Sequence, residues 1–369
     1  MTRVWSIKLQ SGGLRAARRS FAAAMLCGLM VTGTVAMAED WSAVEKASKG
    51  QERVLVYSTL RPDNWKPIQD ALKERYSWIR LEPLRMGSHN EALERYRAES
   101  ASGTRSADIV IASLPEEWPR MSERKEVIDF DPSDLKNLPK FAKPGPGYFT
   151  LSVEPQVMVY NKLLLPAAMQ PKGFTDLTDK IAKNPALFKN KVSSYNPTIS
   201  PFSYGIYWTV KDHHGDKFWP MFDKLASAVR FEQTTGVIVD KVMTGEYLVG
   251  LFLPEPLVPT IDATRGRVLG VLYPNDGTPV SPRTMGIPKT SQSPDSAKLV
   301  VNFLLSEAGQ QAMAKGGMMP YYPGVAMPDG RSYEKVVKEG GTAVIVEFKP
   351  EMETGRDAFM GRMRKALGQ

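Results

Sequence analysis

The chain has 369 residues, with 48 Lys and Arg against 40 Asp and Glu, a formal net charge of +8. Five of the basic residues (Arg3, Lys8, Arg15, Arg18 and Arg19) fall within the first 38 positions, which hold no acid, so residues 39–369 carry 43 basic and 40 acidic residues, a net +3. That balance leaves no basic stripe for a nucleic-acid partner. The single cysteine, Cys27, also lies in the first 38 residues, which excludes disulfides and thiolate chemistry from the rest of the chain.

The N-terminus has the three parts of an export signal. A basic region is followed by a mostly apolar stretch from Phe21 to Ala36 and by Ala36-Met37-Ala38, an A-x-A cleavage site that puts the mature start at Glu39. The apolar stretch is shorter than the about 20 residues of a membrane span, and Gly28 and Gly33 interrupt it. Arg18-Arg19-Ser20-Phe21 is similar to a twin-arginine signal, with Ala17 where Ser or Thr is usual. Ala24-Met25-Leu26 lacks the small residue that precedes a lipidated cysteine, so no lipid anchor is expected at Cys27. A periplasmic location follows.

From residue 39 the chain is too long for one core, and two lobes are expected. Val54–Tyr57 reads as a short strand, and Ile68, Leu72 and Tyr76 recur at i, i+4, i+8 as one helix face. Ile79 to Leu84 is the next strand. Ser88 and Glu91 form an S-x-x-E capping box that opens a helix through about Ala101. Asp108-Ile109-Val110-Ile111 reads as a buried parallel strand. Strands alternating with helices imply an α/β lobe with a parallel sheet, whose ligands sit beyond the carboxyl ends of the strands. That rule singles out Ser58-Thr59-Leu60-Arg61, Gly87-Ser88-His89 and Ala112-Ser113.

Towards the C-terminus, Pro274-Asn275-Asp276-Gly277 is a turn and Thr284–Pro288 a short strand. Ser293 is the expected N-cap, with Pro294 at the first helical position. Ala297, Val300, Val301, Leu304 and Leu305 form an apolar stripe, and Gly316-Gly317 ends a second helical piece that starts at Ser306.

The stretch from Tyr273 to Tyr322 resembles the extracellular solute-binding proteins of bacterial ABC importers, in the branch that includes ferric-ion, polyamine, thiamine, phosphonate and sugar-phosphate binders. Val153-Glu154-Pro155-Gln156-Val157-Met158-Val159-Tyr160-Asn161-Lys162, Phe174-Thr175-Asp176-Leu177, Tyr195-Asn196-Pro197-Thr198-Ile199-Ser200 and Thr235-Gly236-Val237 to Gly245-Glu246-Tyr247 resemble further segments of the family in the same order. The resemblance implies an α/β, two-lobed periplasmic-binding-protein fold of class II type, with a ligand cleft between lobes joined by crossing strands. The expected divisions are a signal peptide at 1–38, the first part of lobe 1 at 39–150, lobe 2 at 151–270, and a return to lobe 1 with C-terminal helices packing across the lobes at 271–369. It also implies a small-molecule solute, an inner-membrane permease with its ATPase as partners, and a monomer.

Ser58, Thr59, Ser88, Ser113 and Ser200 are small hydroxyl residues at expected strand ends and helix starts, where free backbone N–H groups and the helix dipole suit an anion. Helix capping alone explains each of them equally well. Arg61 and Arg283 fall in loops that carry ligand contacts in the resembled family, and arginine grips carboxylate or phosphate through paired hydrogen bonds. Tyr204 and Tyr247 are candidates to line the cleft, or core tyrosines. His89 sits beside the helix start, either as a donor to an anion or as an exposed side chain.

A ferric site has a weaker basis. Ferric-binding relatives carry adjacent tyrosines after the Gly-Glu strand, where this chain has Gly250-Leu251-Phe252-Leu253-Pro254-Glu255; Tyr321-Tyr322 falls elsewhere. His213-His214 sit side by side in a polar stretch and point apart on a helix. No metal and no cofactor are therefore expected. No G-x-S-x-G, H-E-x-x-H or P-loop pattern occurs, so catalysis is not expected. The expectation is an importer component for a small phosphorylated or carboxylated organic solute. A ferric or iron-chelate binder and a periplasmic sensor subunit remain alternatives.

Overall fold

A computed structural model describes residues 39–258 and 268–369. The export signal read from the sequence lies outside the described residues.

Ten strands are described: β1 (Arg53–Ser58), β2 (Arg80–Arg85), β3 (Ile109–Ala112), β4 (Tyr148–Asn161), β5 (Val192–Tyr195), β6 (Val229–Glu232), β7 (Val249–Pro254), β8 (Leu269–Leu272), β9 (Thr278–Gly286) and β10 (Ala343–Ile345). Their order is β2-β1-β3-β9-β4-β7-β5-β6, with β10 on β9 and β8 on β4. β4 holds the sheet together. It is 14 residues long. Its first half, Tyr148–Pro155, pairs antiparallel with β9. Its second half pairs with β7 from Gln156 and with β8 from Met158 to Asn161.

Each half of the sheet has its own apolar core. Val54, Val56, Ile68, Ile109, Ile111, Phe149, Val300 and Leu304 close one half, all fully buried. Phe174, Leu177, Phe188, Tyr207, Phe218, Phe222 and Leu251 close the other. The helix face read from Ile68 and Leu72 is the buried face of helix Pro62–Arg75. β3 is buried along its whole length. This suits a parallel strand covered on both faces.

Two local expectations are corrected. The strand expected at Thr284–Pro288 runs from Thr278 to Gly286, because its earlier half pairs β4 and β10. Ser293 occupies the N-cap position of helix Pro294–Leu305, but its side chain makes no cap bond. Instead Gln51 Oε1 accepts from Asp295 N at 2.8 Å and Ser296 N at 3.3 Å, while Asp108 Oδ1 accepts from Ser293 N at 3.0 Å. One long-range side chain, Gln51, thus satisfies the orphan donors that a local serine usually takes, and a second, Asp108, holds the N–H of the cap residue itself.

Candidate functional site

β1 and β3 run parallel and β9 runs against them, so the carboxyl ends of β1 and β3 meet the middle of β9. Ser58 pairs with Arg85, Ala112 with Thr284, and Arg283 with Ser152. The register therefore gathers Ser58, Thr59, Arg85, Ser113 and Arg283 along one edge of the sheet. This is where an open α/β sheet places its ligand.

Arg283 is the hub of this edge. Its Nη1 donates to Thr59 Oγ1 at 3.1 Å, and its Nη2 is ion-paired with Glu154. The Arg283 side chain is 11% exposed and that of Glu154 20%, so the pair sits below the surface. His89 lies close enough to feel both charges. Burial first, and then Arg283, push its imidazole down to about 4, against a smaller opposing pull from Glu154, so it is neutral near pH 7.

Four buried polar atoms at this edge have no protein hydrogen-bond partner among the described residues: Ser58 Oγ, His89 Nδ1, Ser113 Oγ and Arg283 Nε. An unmade bond at a buried polar atom costs about 1–3 kcal/mol. Several together mark a place built to bond something other than the protein itself.

Beside Arg283 lies a cavity of about 350 Å³, lined by Thr59, Arg61, Asn64, Arg85 and Glu154 and closed on one side by Pro254 at the end of β7 and Pro256 in the turn after it. Both halves of the sheet thus contribute walls. Three guanidiniums and one carboxylate face the cavity, a surplus of positive charge. Arg61 and Arg85 are exposed and have no ion-pair partner among the described residues. Asn64 orients the wall by donating to Gly316 O at 2.7 Å and accepting from Arg61 N at 2.9 Å.

The remaining candidates sit elsewhere or are already engaged. Ser88 Oγ accepts from Glu91 N at 3.1 Å and caps helix His89–Ala101. The Glu91 carboxylate reaches back to Gly87 N at 2.6 Å rather than to the cap residue. Ser200 Oγ accepts from Ser203 N at 3.3 Å and caps helix Pro201–His214. Tyr204 donates to Met352 O at 2.6 Å and packs its ring on Trp208 and Phe359. It borders a second cavity of about 260 Å³ with Pro115, Arg120 and Arg356, not the one at Arg283. Tyr247 donates to Glu232 Oε1 at 2.6 Å. Neither tyrosine is brought to the arginine cavity, because packing and a hydroxyl bond hold each in its own core.

Sequence reasoning missed Arg85, Glu154 and Asn64. Arg85 ends a parallel strand, so the strand-end rule reaches it once β2 is extended by one residue. Glu154 carried no signal, because only the β4–β9 register brings it to Arg283.

Of the residues weighed for a metal, Tyr321, Glu255 and His213 are committed to other bonds. The Tyr321 hydroxyl donates to Thr150 O, and full burial pushes its pKa far up. Both Glu255 oxygens accept from Arg331 Nη1, at 2.6 and 2.7 Å. His213 Nε2 bonds Asp276 O at 2.9 Å. Among the described residues, no group of three or more His, Cys, Asp or Glu could hold a metal ion.

Residues 68–336 match the family described as bacterial extracellular solute-binding protein. The chain belongs to that family. No curated protein matches the sequence. Among solved structures it is similar to the substrate binding protein of an ABC transporter from Agrobacterium tumefaciens, with a TM-score of 0.68 and 18% identity over 87% of this chain and 97% of that one. It is similar to a Bordetella ferric binding protein, with a TM-score of 0.66 and 18% identity over 85% of this chain and 98% of the other. The periplasmic binding protein AfuA from Actinobacillus pleuropneumoniae, with exogenous fructose-6-phosphate bound, gives a TM-score of 0.58 and 17% identity over 86% of this chain and 98% of that one. At these identities the likeness defines the fold, the two-lobed one of periplasmic binding proteins.

Proposed function

We propose that this protein captures a small organic anion, phosphorylated or carboxylated, in the cavity beside Arg283 and delivers it to an inner-membrane ABC permease. The observation that carries the reading is the cavity's charge: Arg61 and Arg85 face it without a carboxylate partner among the described residues. Charge-assisted bonds from arginine to an anion are strong and directional. Thr59 and Asn64, which line the same cavity, add neutral hydrogen-bonding groups beside them.

The division of the fold follows β4. One lobe comprises residues 39–150 and the return from 271 with its C-terminal helices; the other comprises 151–270. Pro254 and Pro256 come from the second lobe and Arg61 and Arg85 from the first, so a bound solute bridges both. Bonds that the solute makes only when the lobes close then favour the closed state. The protein acts as an exported, periplasmic monomer, cleaved after Ala38. A direct ferric site has less support, because Tyr321 and Glu255 are already bonded within the protein.

The test is binding of the co-purified or screened anion to Arg61→Ala and Arg85→Ala. Each loses a charge-assisted bond of about 1.5–3 kcal/mol, so affinity falls about tenfold to a hundredfold. Unchanged affinity in both variants contradicts the reading.

A further inference from the structure

The cavity treats its three arginines differently. Arg61 and Arg85 are exposed and carry no carboxylate partner among the described residues. Arg283 is buried and already paired with Glu154. That pairing is built into the sheet. Arg283 stands opposite Ser152, and Glu154, two residues further along β4, stands opposite Ser281. Glu154 and Arg283 are therefore diagonal neighbours on one face of an antiparallel ladder, within reach for long side chains.

A guanidinium already holding a carboxylate is a poor anion site. A second anion must displace Glu154 or sit within a few ångströms of its charge, where repulsion is costly at low dielectric. The pair nevertheless offers hydrogen bonds of both kinds: Arg283 Nε–H has no partner among the described residues, and the Glu154 carboxylate keeps acceptor capacity. A hydroxyl group matches this, accepting from the guanidinium and donating to the carboxylate. Thr59 and Ser152, which also line the cavity, add neutral hydroxyls beside the pair.

We infer that Glu154 is a specificity-determining residue: it neutralises Arg283 and reserves it for a hydroxyl-bearing part of the solute, leaving the solute's anionic group to Arg61 and Arg85. The inference rests on the anion reading above and narrows it. The solute is a hydroxylated organic anion, such as a polyol monoester or a polyhydroxy acid, and a bare inorganic anion is selected against.

Calorimetric titration of the purified protein with inorganic phosphate and with fructose 6-phosphate tests this. Glu154→Gln keeps the side chain's shape and removes its charge. In that variant the affinity ratio shifts towards inorganic phosphate by about tenfold or more, because Arg283 becomes a free cation. The double variant Glu154→Gln/Arg283→Gln loses the shift, which separates a charge effect from altered packing. If either anion binds the wild type, is weakened by Arg61→Ala/Arg85→Ala, and the ratio is unmoved in Glu154→Gln, the role of Glu154 is overturned while the anion reading stands. If neither anion binds the wild type or Glu154→Gln, the phosphorylated form of the anion reading falls and the role of Glu154 with it.

Discussion

Asp276 caps the helix that begins at Phe174, 102 residues earlier in the chain. Its Oδ1 accepts from Phe174 N at 2.8 Å and its Oδ2 from Thr175 N at 2.7 Å. The turn that carries Asp276 closes with Gly277 N donating to Pro274 O at 3.2 Å, and Gly277 has φ +125°. The aspartate of this turn therefore fastens the strand returning to the first half of the sheet onto the first helix of the second half.

Removing that cap lowers stability without touching the arginine cavity. Asp276→Ala is expected to cost about 1–2 kcal/mol, and Asp276→Asn less, because a capping aspartate supplies both acceptor and charge. Chemical denaturation reads the difference, and anion affinity stays unchanged in both variants. Gly173 is constrained by the same contact, since a Cβ there would stand 2.4 Å from Asp276 Oδ1. Gly173→Ala therefore destabilises by displacing the cap.

His89 makes stability depend on pH. Its folded pKa is lowered to about 4 from an unfolded value of 6.5, by burial first and by Arg283 second. Above pH 6.5 the imidazole is neutral in both states and contributes no penalty. As pH falls from 6.5 towards 4, the unfolded chain takes up a proton that the folded chain refuses, and stability is lost. The loss amounts to at most about 3 kcal/mol. Urea denaturation between pH 7 and 4 should show this slope in the wild type, and a shallower one in His89→Gln.

Glu255 and Arg331 join the loop after β7 to the C-terminal segment. Glu255 is 3% exposed in its side chain and both its oxygens bond Arg331. Burial raises the Glu255 pKa, opposed by Arg331. Arg331→Met leaves a buried carboxylate unpaired and is expected to cost about 3–5 kcal/mol. Arg331→Met/Glu255→Gln recovers much of that loss, and the recovery in a denaturation cycle measures the pair.

Tyr321→Phe separates the anion and ferric readings. The hydroxyl is buried and bonded to Thr150 O, so its removal costs about 1–2 kcal/mol of stability. Anion binding is unaffected. A loss of iron affinity in this variant would point instead to a tyrosinate ligand.

Patterns that repeat locally were legible in the sequence, and those set by distant pairing were not. Ile68 and Leu72 announce a helix face because the 3.6 period is written in adjacent turns, and β3 announces itself as an unbroken apolar run. Ser88 was readable as a cap, because its partner is three residues away. Gln51 was not, because its partner Asp295 lies 244 residues later. The cavity divides the same way. Strand-end reasoning reached Thr59 and Arg61, whereas Glu154 meets Arg283, 129 positions away, only through the register of two strands. The sequence therefore shows Arg283 as a candidate anion contact but not that Glu154 is paired with it.

The most direct test of the anion reading is native mass spectrometry of the untreated purified protein, combined with metal analysis. The expected result is a co-purifying hydroxylated organic anion near one per chain and no stoichiometric iron. Stoichiometric iron without an organic partner would contradict the anion reading and move the site away from Arg61 and Arg85.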